Sequence, residues 1–451
     1  MGWAINGSGE VYRTDNGAKT WSRQERLGRS YLRCIGMANQ DTGWIGCTTP
    51  NSQVFMTTNG GGLWTPVPNL PCQYNDRDDA DAPEAVCGLH VLNETYIFAS
   101  GANNPEVPAR FLKSSDGGVT WRARDMEDVA SCLIDIFFQT PEIGWVVGGR
   151  ATRPHPRRSD ILPVVLKTVD GGKNWVNMLG PNIQAPLGEW GWKIQFVTDQ
   201  FVVVALENFK AGAILISEDG GDNWERIEIR DDAGDMINGN LEGIGFLDRA
   251  TGWVGGWGDV AISSGRTSGT TDGGRTWTDL TQSWPAPLAE ESCPNDVDRG
   301  QYLNRFRFVD GFGYASGNTI YKYTDEEIED FDPQQMQSDR LLPVAGNIGF
   351  TDNARIPIEV KPGTSSLTID IYDRFAGRVR TLVDERDPSS GRHTLTWDLT
   401  DDNGRSLDAR QHLVRVVADG ESDSRLIVRQ DGKDRSERRH QAHLLHMLEG
   451  S

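Results

Sequence analysis

Thr168-Val169-Asp170-Gly171-Gly172-Lys173-Asn174-Trp175 decides the fold, because variants of this octet recur at residues 14–21, 57–64, 114–121, 217–224 and 270–277. Successive terminal tryptophans, Trp21, Trp64, Trp121, Trp175, Trp224 and Trp277, lie 43 to 57 residues apart. The third position is always Asn or Asp: Asn16, Asn59, Asp116, Asp170, Asp219 and Asp272. A carbonyl or carboxylate there accepts backbone N–H groups within a tight turn, and the following glycines permit positive φ. The tryptophan then staples the turn by burying its indole between strands, and the Ser or Thr that opens the octet can tie the loop to itself. These residues are therefore read as structural.

A second signature precedes most octets. Gly43-Trp44-Ile45-Gly46, Gly144-Trp145-Val146-Val147-Gly148 and Gly252-Trp253-Val254-Gly255 each follow a short strand and a tight turn, with looser matches at Gly2-Trp3 and Gly313-Tyr314. Each unit thus reads as four antiparallel strands, with the octet turn between the third and fourth. Repetition at this length builds a β-propeller of about seven blades. The propeller is expected over residues 1–325 and an acidic linker over 326–341, where Asp325-Glu326-Glu327-Ile328-Glu329-Asp330 marks the transition. Alternating segments at 366–372, 377–383 and 391–398 then predict a small immunoglobulin-like β-sandwich over 342–430, followed by a charged tail over 431–451. The fold class is all-β.

The octets resemble the Asp-box, or BNR, repeat, and their pairing with a Gly-Trp strand is similar to the Ycf48-type propellers. More distantly they resemble sialidases, sortilin-type receptors and xyloglucan hydrolases, a group that mixes enzymes with binding proteins. In the C-terminal region Ile371-Tyr372-Asp373, Gly377-Arg378-Val379-Arg380-Thr381-Leu382 and Thr396-Trp397-Asp398 resemble the immunoglobulin-like domain of the flagellar hook-cap protein. They are also similar to type IX secretion sorting domains, although the chain continues beyond the point where a sorting domain ends.

A net charge of −20 over 451 residues, with 51 Gly and 15 Trp, describes a turn-rich globular chain that repels phosphate backbones and anionic lipid. Nucleic-acid binding is not expected. No run approaches the roughly 18 apolar residues of a membrane span. Six cysteines without CxxC spacing point toward disulfides and an oxidising, extracytoplasmic compartment. The expected candidates are Cys34, Cys47, Cys72 and Cys87; the turn at residues 39–42 predicts Ala38 opposite Gly43 and hence Cys34 opposite Cys47. The first repeat starts inside a blade, so a strand and a secretion signal are expected before Met1. A monomer without cofactor or metal is the expectation, because the acidic loop at residues 76–84 lacks the ordered spacing of a Ca²⁺ loop.

Blade order places the long insertions, among them residues 148–163 and 179–191, on the face opposite the octet turns. Long loops on a rigid scaffold carry binding. Arg150, Arg153, His155, Arg157 and Arg158 form a basic loop in an acidic protein, suited to clamping carboxylates of a partner. Ycf48-type proteins are similar in using an arginine-rich patch for partner binding. Trp190 and Trp257 sit beside that loop and could stack on a sugar or anchor a protein. The expectation is a non-catalytic scaffold binding a protein or glycan. The alternative is a glycoside hydrolase acting at the same face, for which Asp259 and Glu189 are available carboxylates. A sialidase would carry Arg-Ile-Pro ahead of the octets, whereas Arg355-Ile356-Pro357 follows them all.

Overall fold

A computed structural model of the chain describes residues 1–28, 30–48, 54–67, 70, 83–102, 104–230, 234–237, 239, 241–256, 267–280, 303–309, 312–317, 320–323, 348–350, 353–373, 378–407 and 411–429. Cys72, Trp257, Asp259, the linker at 326–341 and the tail at 431–451 lie outside these residues. The chain divides into two compact units, Met1–Pro68 with Phe331–Ser451, and Asn69–Asp330.

The fold is an all-β propeller, whose blades are meandering antiparallel sheets. In the first unit the first blade comprises Gly2–Ile5, Glu10–Thr14 and Ser22–Arg26, and the second Leu32–Met37, Gly43–Cys47, Val54–Thr57 and Thr65–Pro66. In the second unit the third blade starts at Gly88–Val91, the fourth at Cys132–Phe138, the fifth at Trp190–Phe196 and the sixth at Leu241–Phe246, with four strands each. A seventh, three-stranded sheet comprises Leu303–Val309, Phe312–Gly317 and Ile320–Tyr323.

The octet turns are built as their composition dictates. At Thr168 to Trp175, Asp170 Oδ1 accepts the N–H groups of Lys173 and Asn174 at 3.0 and 2.9 Å, and the Thr168 hydroxyl accepts that of Gly172 at 3.0 Å. Gly171 and Gly172 take φ of 74° and 90°, and a Cβ on Gly172 would collide with the Phe111 ring of the preceding blade. Trp175 Nε1 donates to Gly172 O at 3.0 Å, and the indole meets Phe111 and Phe138 edge-on at 5.3 and 6.1 Å. At Asp272 partial burial pushes the carboxyl up. Bonds from the Thr276 side chain and N–H, the Thr270 hydroxyl and the Arg275 N–H outweigh it and hold the group down at about 2.

The Gly-Trp motif has a steric origin. Gly144 pairs with Phe138 and Gly252 with Phe246 across their hairpins, and a Cβ on either glycine would stand 2.6 Å from the opposing ring. The aromatic ring occupies the space a side chain would need.

The second blade corrects the expected cysteine register. Asn39 Oδ1 accepts the N–H groups of Asp41 and Thr42, both at 2.8 Å, and the Ala38 N–H reaches Thr42 O at 2.8 Å. This side-chain-capped turn takes Ala38 out of the ladder, so Met37 rather than Ala38 faces Gly43. A bulge between Leu32 and Cys34 then sets Cys34 opposite Gly46 and Cys47 opposite Leu32, so the two cysteines are not directly opposed.

The C-terminal residues of the first unit form two sheets. One orders Ile348–Phe350, Glu421–Arg429, Gln411–Ala418, Ser366–Tyr372 and Arg378–Arg386; the other pairs Ala354–Val360 with Gly391–Trp397. Trp397 is fully buried in their shared core with Ile356, Ile369, Ile371 and Val414. Ile356, the centre of the Arg-Ile-Pro stretch, is thus a core residue.

A polar seam joins these sheets to the first blade. Leu27 and Ser424 form a parallel bridge, Gly28 N–H donates to Ser424 O at 2.9 Å, and the Ser422 hydroxyl donates to Gln24 O at 2.6 Å. Glu25, fully buried, accepts the Trp64 N–H at 2.8 Å and the Ser424 hydroxyl, with the Arg415 guanidinium 3.7 Å away. Arg23 faces Asp423 at 3.7 Å.

Candidate functional site

The basic loop connects the fourth blade's second strand, Gly144–Ala151, to its third, Ile161–Thr168. Arg150 pairs with Leu162 and Ala151 with Ile161, so the ladder runs to the loop's base. Thr152 closes it, donating its N–H and its hydroxyl to Asp160 O at 3.0 and 2.8 Å. Asp160 in turn accepts the Arg157 N–H at 2.8 Å and pairs with Arg153 at 2.7 Å. Its carboxyl is held below the ordinary value, first by the Arg153 side chain and then by the Arg157 N–H. The turn takes a left-handed residue at His155, φ 50°. Arg150, Arg153, His155 and Arg157 are exposed.

Arg158 is different. It turns inward from the short helical turn Arg158–Asp160 and donates to Glu207 at the end of the fifth blade's second strand, Val202–Glu207. Its guanidinium lies 4.4 Å from the Trp190 ring centroid, 4.6 Å from Phe209 and 5.5 Å from Trp192. The Trp190 indole N–H closes the arrangement on Arg158 O at 3.3 Å. Trp190 is fully buried, so its ring serves Arg158 and not an external sugar or protein. The five basic residues therefore divide into four open to solvent and one pin that fastens the loop to the next blade.

Glu189, beside Trp190, is also buried and accepts two bonds from Arg226 at 2.8 and 2.7 Å. Burial pushes its carboxyl up, against the opposing pull of Arg226. The sequence reading missed Glu207, Phe209 and Arg226. The signal present was Glu207-Asn208-Phe209, a charge and an aromatic ring directly after an apolar strand. Among the described residues no cluster of three or more His, Cys, Asp or Glu side chains is arranged to hold a metal ion. No helix among them is long and apolar enough to cross a membrane.

No protein-family profile matches the chain. Among curated proteins, the photosystem II assembly lipoprotein Ycf48 of Trichormus variabilis is 24% identical over 178 residues, covering 32% of this chain and 50% of that protein. Ycf48 of Nostoc sp. shows the same identity and coverage. The chain spans about half the length of the curated relatives it matches. Among solved structures, the Niastella koreensis GH74 enzyme aligns with 94% of this chain and 70% of its own at a TM-score of 0.50 and 14% identity. At that identity the likeness is one of fold: the chain is similar to this enzyme in its propeller architecture, and its function rests on its own residues.

Proposed function

We propose that the chain is a non-catalytic, extracytoplasmic binding or assembly scaffold whose long-loop face holds an acidic region of a partner protein. The observation that carries this reading is the braced loop: Arg150, Arg153, His155 and Arg157 exposed on a backbone fixed by Asp160 and by the half-buried Arg158 pin. A braced backbone loses little freedom when its arginines meet a carboxylate, and their contrast with a chain of net charge −20 supports an acidic target. The weak Ycf48 likeness supports an assembly role, and the lipoprotein character of those relatives supports a location outside the cytoplasm. We assign the propeller to residues 1–325 and an immunoglobulin-like, hook-cap-type sandwich to 342–430, which the seam at Glu25 joins to the first blade. The glycoside hydrolase alternative draws on fold likeness alone, and Glu189, one of its carboxylates, is engaged by Arg226.

The test is affinity capture from the host's envelope fraction, followed by calorimetry with the captured partner. The variant R150A/R153A/R157A is expected to bind at least about tenfold more weakly than the parent at unchanged melting temperature, because exposed substitutions cost within about 0.5 kcal/mol. Binding by the parent should weaken with added salt. R158A is expected to behave otherwise, destabilising by about 2 kcal/mol because Glu207 loses its guanidinium partner inside the protein. Equal partner affinity in the triple variant would discard the arginine loop as the site.

A further inference from the structure

Three large apolar side chains open to solvent lie on the face of the arginine loop: Leu187 at 57% exposure, Phe209 at 49% and Met236 at 51%. They belong to three separate connections that the backbone brings together. Leu187 precedes Gly188, whose N–H bonds Ile161 O at 2.8 Å, and a Cβ on Gly188 would stand 3.5 Å from Ser159 Cα and 3.8 Å from the Asn208 side chain. Phe209 follows Asn208, and its carbonyl oxygen lies 2.9 Å from where a Cβ on Gly239 would sit. Met236 precedes Ile237, which accepts the Gly212 N–H at 2.8 Å and donates to Ile229 O at 3.0 Å. The Leu187 connection thus approaches Asn208 and the Met236 connection approaches Phe209.

Exposed apolar side chains gathered on one face mark recognition surfaces more often than isolated ones do. Phe209 is also braced, with the Arg158 guanidinium against one ring face at 4.6 Å and the rest of the side chain open. A rigid aromatic anchor of this kind loses little entropy on binding. Arg150, Arg153 and Arg157 on the same face and Lys210 beside Phe209 are exposed, against one exposed carboxylate, Asp235, beside Met236, so an incoming group meets a surplus of positive charge near apolar surface. Leucine and methionine offer no flat ring for a sugar, and the net charge of −20 opposes an anionic lipid surface.

We infer that Leu187, Phe209 and Met236 form a docking patch for a polypeptide segment in which apolar side chains alternate with or adjoin carboxylates. The apolar groups seat on the patch and the carboxylates meet the arginine loop. This rests on the proposed function and names the chemistry of its partner.

Two short fluorescein-labelled peptides of equal length and charge test it by anisotropy with the full chain, one alternating Glu with Leu and Phe, the other alternating Glu with Ser. The apolar-acidic peptide is expected to bind about tenfold more tightly or better. L187S/M236S, which leaves the Arg158 pin untouched, should bring the two peptides close to equality without shifting the melting temperature. F209A should do the same even if it melts earlier. Equal binding of both peptides to the parent overturns the patch and leaves the arginine loop standing, whereas no binding of either overturns both. Preference for anionic vesicles over both peptides reassigns the surface to lipid and likewise overturns the inference.

Discussion

Trp175→Ala lowers the stability of its unit by about 3 to 5 kcal/mol, the cost of emptying a large buried aromatic site. The indole sits edge-on to Phe111 and Phe138 and holds Gly172 O through its N–H, so removing it opens a gap between the third and fourth blades and releases the turn at Asp170. In a unit of this size the melting temperature should fall by about 10 °C. Partner affinity measured well below the transition should stay within about twofold, because the turn lies on the face opposite the arginine loop. Calorimetric melting with binding measured on the same sample checks both halves. Unchanged melting with lost binding would show that the octet is a contact site and not a staple.

The second large effect is pH-dependent and belongs to the first unit. Burial pushes the Glu25 carboxyl from its ordinary 4.5 up to about 7, while Arg415, the Ser424 hydroxyl and the Trp64 N–H pull it down and Asp423 adds to the rise. The folded state therefore keeps a proton that the unfolded chain releases between about pH 4.5 and 7. Stability linked to this group is fully present below that window and is lost as pH rises through it, by about 3 kcal/mol in all. Arg23 and Asp423 are the neighbouring charges on the two strands that meet there. Glu25→Gln keeps the side chain's shape and one acceptor but removes the titration. Unfolding of parent and variant across pH 4 to 8 should give a falling curve for the parent, relative to a flatter one for the variant. Parallel curves would show that Glu25 does not titrate in that window.

Much of the fold was legible because the octet writes its own geometry. Asp170, Gly171, Gly172 and Trp175 name a turn, its left-handed residues and its staple, and recurrence at blade-sized intervals does the rest. Bulges were not legible. The one between Leu32 and Cys34 recurs at Leu133/Asp135, Gly191/Lys193, Leu241/Gly243 and Leu303/Arg305, each in the opening strand of its blade. A single extra residue shifts pairing without disturbing any sequence period, and in the second blade it adds to the one-residue shift made by the Asn39-capped turn to separate Cys34 from Cys47.

The candidate site was legible as a cluster of charge and opaque as an arrangement. Nothing in five closely spaced basic residues says that Arg158 points inward while Arg157 points out, because the deciding partner, Glu207, lies 49 positions away. Trp190 was visible as an aromatic beside the loop but not as the buried face on which Arg158 rests. The seam was hidden by the same distance effect, since Ser424 and Glu25 are 399 positions apart. Long-range polar pairs leave no periodic trace.

The proposed role puts the partner on the long-loop face and not on the octet face. Hydrogen–deuterium exchange of the full chain with and without the captured partner tests it most directly. Exchange is expected to slow in residues 152–160, 183–189 and 208–212, with the turns at 170–174 and 219–223 unchanged. Protection concentrated in the octet turns, with the arginine loop exchanging as in the free protein, would contradict it.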